Sequence, residues 1–113
     1  MDINFNGFGE NVATFIKENN VENGMLVSMS DDNFTVKPAE RGDEIFGVCV
    51  GVRDDYAAIQ LSGYVETKYV LSMRTGIVGL AVHNAKSIKI DDNSTKYKII
   101  YVDKKKQIVG FVL

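Results

Sequence analysis

The sequence has little of the residues that build disulfides and metal sites. It contains one cysteine, Cys49, and one histidine, His83. A lone cysteine excludes an intrachain disulfide and any multi-cysteine metal site. Val48 and Val50 flank Cys49, which predicts a small, buried side chain. Any zinc site or catalytic triad that uses histidine would depend on His83, which we assign to a loop.

Long apolar runs and an excess of positive charge are also missing. No segment approaches the roughly 20 apolar residues that span a bilayer, and the N-terminal sequence lacks the basic start and apolar stretch of a signal peptide. The net charge of -2 and the pI near 5.3 provide no overall field that attracts phosphate. We therefore expect synthesis in the cytoplasm, no membrane partner and no direct nucleic-acid partner.

What the sequence does contain is typical of short strands joined by tight turns. Runs of Val, Ile, Thr, Tyr and Phe alternate with clusters of Asp, Asn and Gly, and there is only one proline. Residues 24–29 and 34–38 predict a hairpin around "SDDN". Residues 45–52 and 57–63 predict a second antiparallel pair around "RDDY". Further strands are predicted at residues 64–71 and in "SIKI", "TKYKIIYVD" and "QIVGFVL".

The strand at residues 45–52 alternates between two kinds of side chain. Val48, Val50 and Val52 are expected on one face, and Gly47, Cys49 and Gly51 on the other. A strand face with such small side chains marks a bend in the sheet or a place where another backbone approaches closely.

These patterns predict an all-β fold, a single antiparallel β-barrel or β-sandwich at residues 24–113. Residues 1–23 are expected to form an N-terminal arm. Within this arm "ENVATFIKENN" fits a short helix and an extended strand equally well. We predict no internal repeat, and we assign residues 74–86 to a glycine-containing loop.

The side chains that could carry chemistry fit turns better than a catalytic site. The three Asp-Asp pairs, which begin at Asp31, Asp54 and Asp91, lie where turns are expected and lack the ligand spacing of an EF-hand. No serine or cysteine stands in a recognised nucleophile motif. We therefore predict no enzyme, no metal and no cofactor. A hydrolase or self-cleaving domain would require His83 or the Asp pairs to converge in a pocket.

The aromatic residues of the arm are candidates for protein contacts. Phe5, Phe8 and Phe15 are spread through a stretch rich in Asn and Gly. Apolar anchors of this kind suit docking onto the chain's own barrel or into a neighbouring subunit.

The order of these segments resembles a family of small β-rich structural proteins that decorate or stabilise the capsids of tailed phages and prophages of Gram-positive bacteria. The matching parts are "GMLV", "FTVKPA" with the following "GDEIFGV", "AAIQLSGYV", and the closing "YVD" and "VGFVL". They extend over nearly the whole chain. The segment at residues 70–90 departs most from the family's pattern.

This resemblance implies a non-enzymatic virion protein that binds the major capsid protein on the surface of the assembled shell. It also implies a homo-oligomer, of which the trimer is the common form in such proteins. Binding the assembled shell and not its free subunits would stabilise the shell by mass action. The candidate contact residues are Phe5, Phe8 and Phe15 in the arm and Arg74 in the loop at residues 74–86.

A different class of function stays open on the residues alone. A β-barrel that binds a peptide, a sugar or a nucleic acid would show an exposed aromatic platform on one sheet face. Tyr56, Tyr64 and Tyr69 are the residues that could form part of it.

Overall fold

The computed structural model describes residues 11–113, and every regular element in this range is a β-strand. The ten strands form two closed barrels of five strands each, one after the other along the chain. The predicted all-β, barrel-forming class is therefore confirmed, with two small barrels in place of a single one. Phe5 and Phe8 lie outside the described residues.

The first barrel contains the first half of the chain. Its strands are β1 (Asn11–Lys17), β2 (Leu26–Met29), β3 (Thr35–Pro38), β4 (Gly47–Arg53) and β5 (Tyr56–Ser62). They follow the order β1-β3-β2-β4-β5 around the barrel, and β5 closes on β1. All neighbours are antiparallel except β1 and β3, which run parallel with Ile16 opposite Thr35. The segment that fitted a helix or a strand equally well is thus a strand.

The second barrel contains the second half. Its strands are β6 (Tyr64–Tyr69), β7 (Gly76–Asn84), β8 (Ser87–Ile90), β9 (Lys96–Asp103) and β10 (Ile108–Val112). Around the barrel they follow the order β10-β6-β8-β7-β9, in which only β6 and β8 are parallel. The strand predicted at residues 64–71 therefore begins a new barrel and does not extend the first one.

The two barrels have the same topology, because β6 to β10 pair with one another as β1 to β5 do. The hydrogen bonds repeat as well. The Lys17 N–H donates to the Asp55 carbonyl at 2.9 Å, and the Tyr69 N–H donates to the Gln107 carbonyl at 3.0 Å. The pair Tyr69 and Gln107 is thus equivalent to the pair Lys17 and Asp55, and both of its residues lie 52 positions later in the chain. The prediction of no internal repeat is wrong at the level of structure.

A β-bulge also recurs at equivalent places in the two barrels. Val50 is the extra residue between β4 and β5, and Ile100 is the extra residue between β9 and β10. The bulge changes the predicted faces of β4, because Gly47, Val48 and Cys49 are all buried while Val50 is exposed. A bulge shifts the alternation by one residue, and the sequence pattern does not reveal it.

Strand β7, the longest in the described chain, was predicted as a loop. Val78, Leu80 and Val82 are buried along it, and His83 is a half-buried residue of this strand. Gly79 lies against the backbone carbonyl of Asp91, where any larger residue would collide. The glycines that favoured a loop assignment therefore allow the close approach of two backbones.

The main hydrophobic core joins the two barrels. Leu26, Ile45 and Val48 of the first half pack in one cluster with buried residues of the second, among them Phe111. A smaller cluster lies inside the first barrel and consists of Val21, Val27, Val36, Cys49, Ala57 and Ile59.

Backbone hydrogen bonds also connect the barrels. Val82 accepts from the Gly42 N–H at 2.9 Å and donates its own N–H to the Asp43 carbonyl at 3.0 Å. The Leu26 N–H donates to the Ala85 carbonyl at 2.7 Å. The connection between β3 and β4 thus pairs with β7 across the boundary between the barrels.

Candidate functional site

The two candidate contact residues within the described range lie on different barrels. Phe15 is half-buried on β1, packs against the core of the first barrel and makes an edge contact with Phe46, with ring centroids 5.9 Å apart. Arg74 is exposed on the connection between β6 and β7. Phe15 therefore has a clear packing role, and its role in partner contact stays a prediction.

Apolar side chains are exposed on the connection that carries Arg74 and at the start of β7. Met73 is buried in the shared core and fixes the connection to the barrel. Before it in the chain Leu71 is 88% exposed, and after it Ile77, the second residue of β7, is 70% exposed. We call the exposed residues Leu71, Arg74 and Ile77 the loop surface.

The backbone conformation of Leu71 is unusual. Leu71 has a φ of 67°, in the left-handed region that glycine and asparagine tolerate and that other residues rarely adopt. This conformation costs roughly 1–2 kcal/mol for an ordinary residue. Because Leu71 is almost fully exposed, its side chain recovers little of this cost by burial within the chain.

A second surface is a groove on the outside of the first barrel. It crosses β4, β5 and β1, and its volume is about 560 Å³. Gly51, Ala58 and Thr14 form its floor as a row of paired residues, Gly51 opposite Ala58 and Ala58 opposite Thr14. A Cβ added to Gly51 would meet no atom within 4 Å. The side chains of Arg53 and Tyr56 form one end of the groove.

The equivalent surface of the second barrel is filled by the chain's own side chains. Tyr64 lies across Gly110, and its hydroxyl donates to the Glu66 carboxylate at 2.7 Å. Burial and this hydrogen bond raise the pKa of the Tyr64 hydroxyl well above its usual range.

The surfaces of the two barrels can be compared residue by residue. Glu66 is opposite Gly110 in the second barrel, and Thr14 is opposite Ala58 in the first. The counterparts of Tyr64, Glu66 and Gly110 are Val12, Thr14 and Ala58.

An exposed aromatic residue lies at the turn between β2 and β3. Phe34 is 73% exposed and has a φ of 58°. Phe34 lines a cavity of about 580 Å³ together with Phe15, Met29 and Phe46. The sequence pattern places Phe34 at the start of a strand. The one hint of its exposure is its position directly after the polar turn "SDDN".

The three tyrosines that could have formed an aromatic platform do not share a surface. Tyr69 is 5% exposed and belongs to the shared core. Tyr56 lies on the first barrel and Tyr64 on the second. The platform expected of the alternative binding module is therefore not formed by these residues.

Cys49 and Asp91, two of the polar residues considered as possible catalytic groups, serve local structure. Burial raises the pKa of the Cys49 thiol, which points toward the Gly51 carbonyl at 3.4 Å. Asp91 accepts a hydrogen bond from the Asn93 N–H at 3.0 Å within its turn, as the Asp pairs were expected to do. In the part of the chain that the structure describes, no group of three or more His, Cys, Asp and Glu side chains could hold a metal ion.

Comparisons with known proteins add no assignment. Within residues 11–113 there is no helix long and apolar enough to cross a membrane. No protein-family model matches the chain, and no curated protein matches it either.

Proposed function

We propose that this protein is a non-enzymatic structural protein of a phage or prophage particle, a decoration protein that binds the assembled capsid. Its partner is the major capsid protein, and it acts on the virion surface as a homo-oligomer. The resemblance of its strand and turn sequences to such proteins supports the identity of the partner. The loop surface supports the mode of binding.

The observation that carries the proposal is the loop surface of Leu71, Arg74 and Ile77. An apolar side chain that is exposed, held in an unfavourable backbone conformation and fixed by a buried neighbour is suited to a rigid contact with another protein. The guanidinium of Arg74 can bind a carboxylate of the partner in bidentate geometry. Shell binding then buries Leu71 and Ile77 together.

The mechanism is stabilisation by differential binding. A protein that binds neighbouring subunits of the assembled shell, and not the free subunit, adds its binding free energy to the assembled state. Oligomeric copies that engage several sites together would raise the apparent affinity over that of one loop surface. Two stiff barrels with a shared core provide a scaffold that loses little conformational entropy on binding.

The test is co-sedimentation with phage-like shells that lack their own copies of the protein. We expect saturable pelleting with shells and none with free capsid subunits. Leu71→Asn and Arg74→Gln should each weaken pelleting by about tenfold. The matched control is Ile100→Thr, which removes an exposed apolar group from the β9 bulge and should leave binding unchanged.

Two results would contradict the proposal. If the wild-type protein stays in the supernatant with intact shells, the capsid is not its partner. If the Leu71 and Arg74 variants pellet as well as the wild type, the loop surface is not the contact. The first result would favour the alternative, a barrel that binds a peptide, a sugar or a nucleic acid.

A further inference from the structure

We propose that copies of this chain associate head to tail, with Phe34 of one copy seated in the groove on the first barrel of the next. The occupant of the groove is thus a second copy of the chain. This inference rests on the proposed function only in its expectation of a homo-oligomer. Association of the copies does not require the capsid shell.

The shape of the groove indicates that it accepts an aromatic ring. On the second barrel the equivalent surface is covered by the ring of Tyr64, which lies over Gly110. Tyr101 is opposite Gly110 there, whereas Gly51 is opposite Ala58 in the first barrel. Within residues 11–113, the first barrel therefore has an equivalent floor at Gly51, Ala58 and Thr14, with no ring lying across it as Tyr64 lies across Gly110.

Phe34 is the aromatic side chain of the described residues that is most exposed. Its left-handed backbone conformation would suit asparagine or glycine better, so the phenylalanine ring costs free energy in the isolated chain. Insertion into an apolar groove of a second copy would bury the ring and recover this cost.

The charges at the two surfaces are mixed. Asp31 and Asp32 are exposed and precede Phe34 in its turn. Arg53 and Asp54 both line the groove, so one positive and one negative side chain lie there. The proposed contact therefore depends on the aromatic ring and not on charge.

The contact joins two different surfaces of the chain. The groove is centred on β5, and Phe34 immediately precedes β3, which is separated from β5 by β1. In the proposed head-to-tail arrangement each copy inserts its ring into one neighbour and accepts the ring of another. Such a contact is heterologous and generates a closed ring or an open array.

The test is sedimentation velocity of the full chain over a concentration series, without shells. We expect the wild type to self-associate. Phe34→Asn removes the ring and introduces a residue type that tolerates the same left-handed backbone conformation. Gly51→Tyr fills the groove, as Tyr101 does at the equivalent place, and its Cβ meets no atom within 4 Å. Each variant should weaken association by about tenfold or more.

Mixing the two variants gives the decisive result. The Phe34→Asn copy keeps its groove, and the Gly51→Tyr copy keeps its Phe34, so one intact contact can form between them. An equimolar mixture should form a heterodimer and no larger species. Ile100→Thr is again the control and should assemble like the wild type. Val12→Tyr, which places a ring at the counterpart of Tyr64, is a second groove-filling variant if Gly51→Tyr does not fold.

Several outcomes would overturn the inference. They are a wild type that is monomeric at all concentrations, variants that assemble like the wild type, and a mixture in which no heterodimer forms. A monomeric wild type would show that a second copy does not occupy the groove. Failure here is distinct from failure of the proposed function, because shell binding is measured by pelleting and through Leu71.

Discussion

Leu71 and Phe34 combine exposure with a backbone conformation that their residue types disfavour. Neither feature could be predicted from sequence, because a positive φ depends on how the chain continues into the neighbouring strands. The sequence did contain one hint, an apolar residue directly after a polar turn. Arg74 is a candidate contact from the sequence, and the structure adds Leu71 and Ile77, which are exposed before and after it in the chain.

Leu71→Asn should make the isolated protein more stable. Asparagine tolerates the left-handed region, and the lost side chain is 88% exposed. We expect the free energy of unfolding to rise by about 0.5–1 kcal/mol, measured by urea denaturation. Ile77→Thr is the control, because Ile77 is an exposed strand residue without a positive φ, and should change stability by less. A stability loss in Leu71→Asn would show that the leucine packs within the chain.

Cys49 should react slowly with thiol reagents in the folded protein. Its side chain is 1% exposed and its pKa is raised by burial, so both access and the thiolate fraction are low. We expect modification by a disulfide reagent to follow the rate of unfolding. As the control, the double variant Cys49→Ala, Ser72→Cys carries its thiol at an exposed position and should react rapidly without unfolding. Rapid modification of native Cys49 would contradict the burial.

Asp103 should make stability depend on pH in the acid range. Its carboxylate accepts the Lys106 N–H at 3.1 Å and the Lys105 N–H at 3.0 Å, which lowers its pKa. A lowered folded-state pKa means that this contribution is complete above the unfolded-state pKa of about 4 and is lost as the pH falls through the folded-state value.

Asp103→Asn should therefore lower the Tm at neutral pH, and the difference from the wild type should shrink below about pH 4. The measurement is the Tm of both proteins by circular dichroism across the acid range. A difference that stays constant with pH would contradict the assignment.

At the scale of strands, local pairs were predictable and the arrangement of the barrels was not. The hairpins of β2 with β3 and of β4 with β5 follow from alternating residues around polar turns. Strand β7 was missed because Gly76 and Gly79 resemble a loop. Their role becomes clear only when Asp91, distant in sequence, packs against Gly79.

Gly79→Ala tests the close approach of β7 to the segment after β8. The added methyl group would meet the Asp91 carbonyl, and backbone there cannot move without breaking the Asp91 N–H to Gly79 carbonyl hydrogen bond of 2.9 Å. We expect a loss of about 1–3 kcal/mol in the free energy of unfolding. Gly51→Ala, whose methyl group meets no atom within 4 Å, should stay within about 0.5 kcal/mol of the wild type. Equal effects in both variants would contradict the proposed crowding.

At the scale of the whole molecule, the sequence pattern does not reveal that the five-stranded barrel is repeated. The two halves keep their pairing and their bulges, while the residues on the outer faces differ. Gly51 and Tyr101 occupy equivalent places and give an open surface on one barrel and a covered one on the other. Because the side chains at equivalent places differ, the two halves lack the sequence identity by which a repeat is recognised.

The shared core predicts that both barrels unfold together. Ile45 belongs to the first half, is 8% exposed and packs in the cluster that contains Phe111. Ile45→Ala should lower the free energy of unfolding by about 2–4 kcal/mol and leave a single transition. Ile100→Ala, at an exposed site, should cost less. Two separate transitions in calorimetry would show that the barrels are independent units.

The shared core also sets when the chain can fold during its synthesis. Leu26, Ile45 and Val48 pack in a cluster completed by Phe111 on β10, so they remain uncovered while only the first half has left the ribosome. Exposed apolar surface on a nascent chain is prone to aggregation and is what chaperones bind. The first barrel should therefore reach its final stability only after β10 has been made, in one late step that completes both halves.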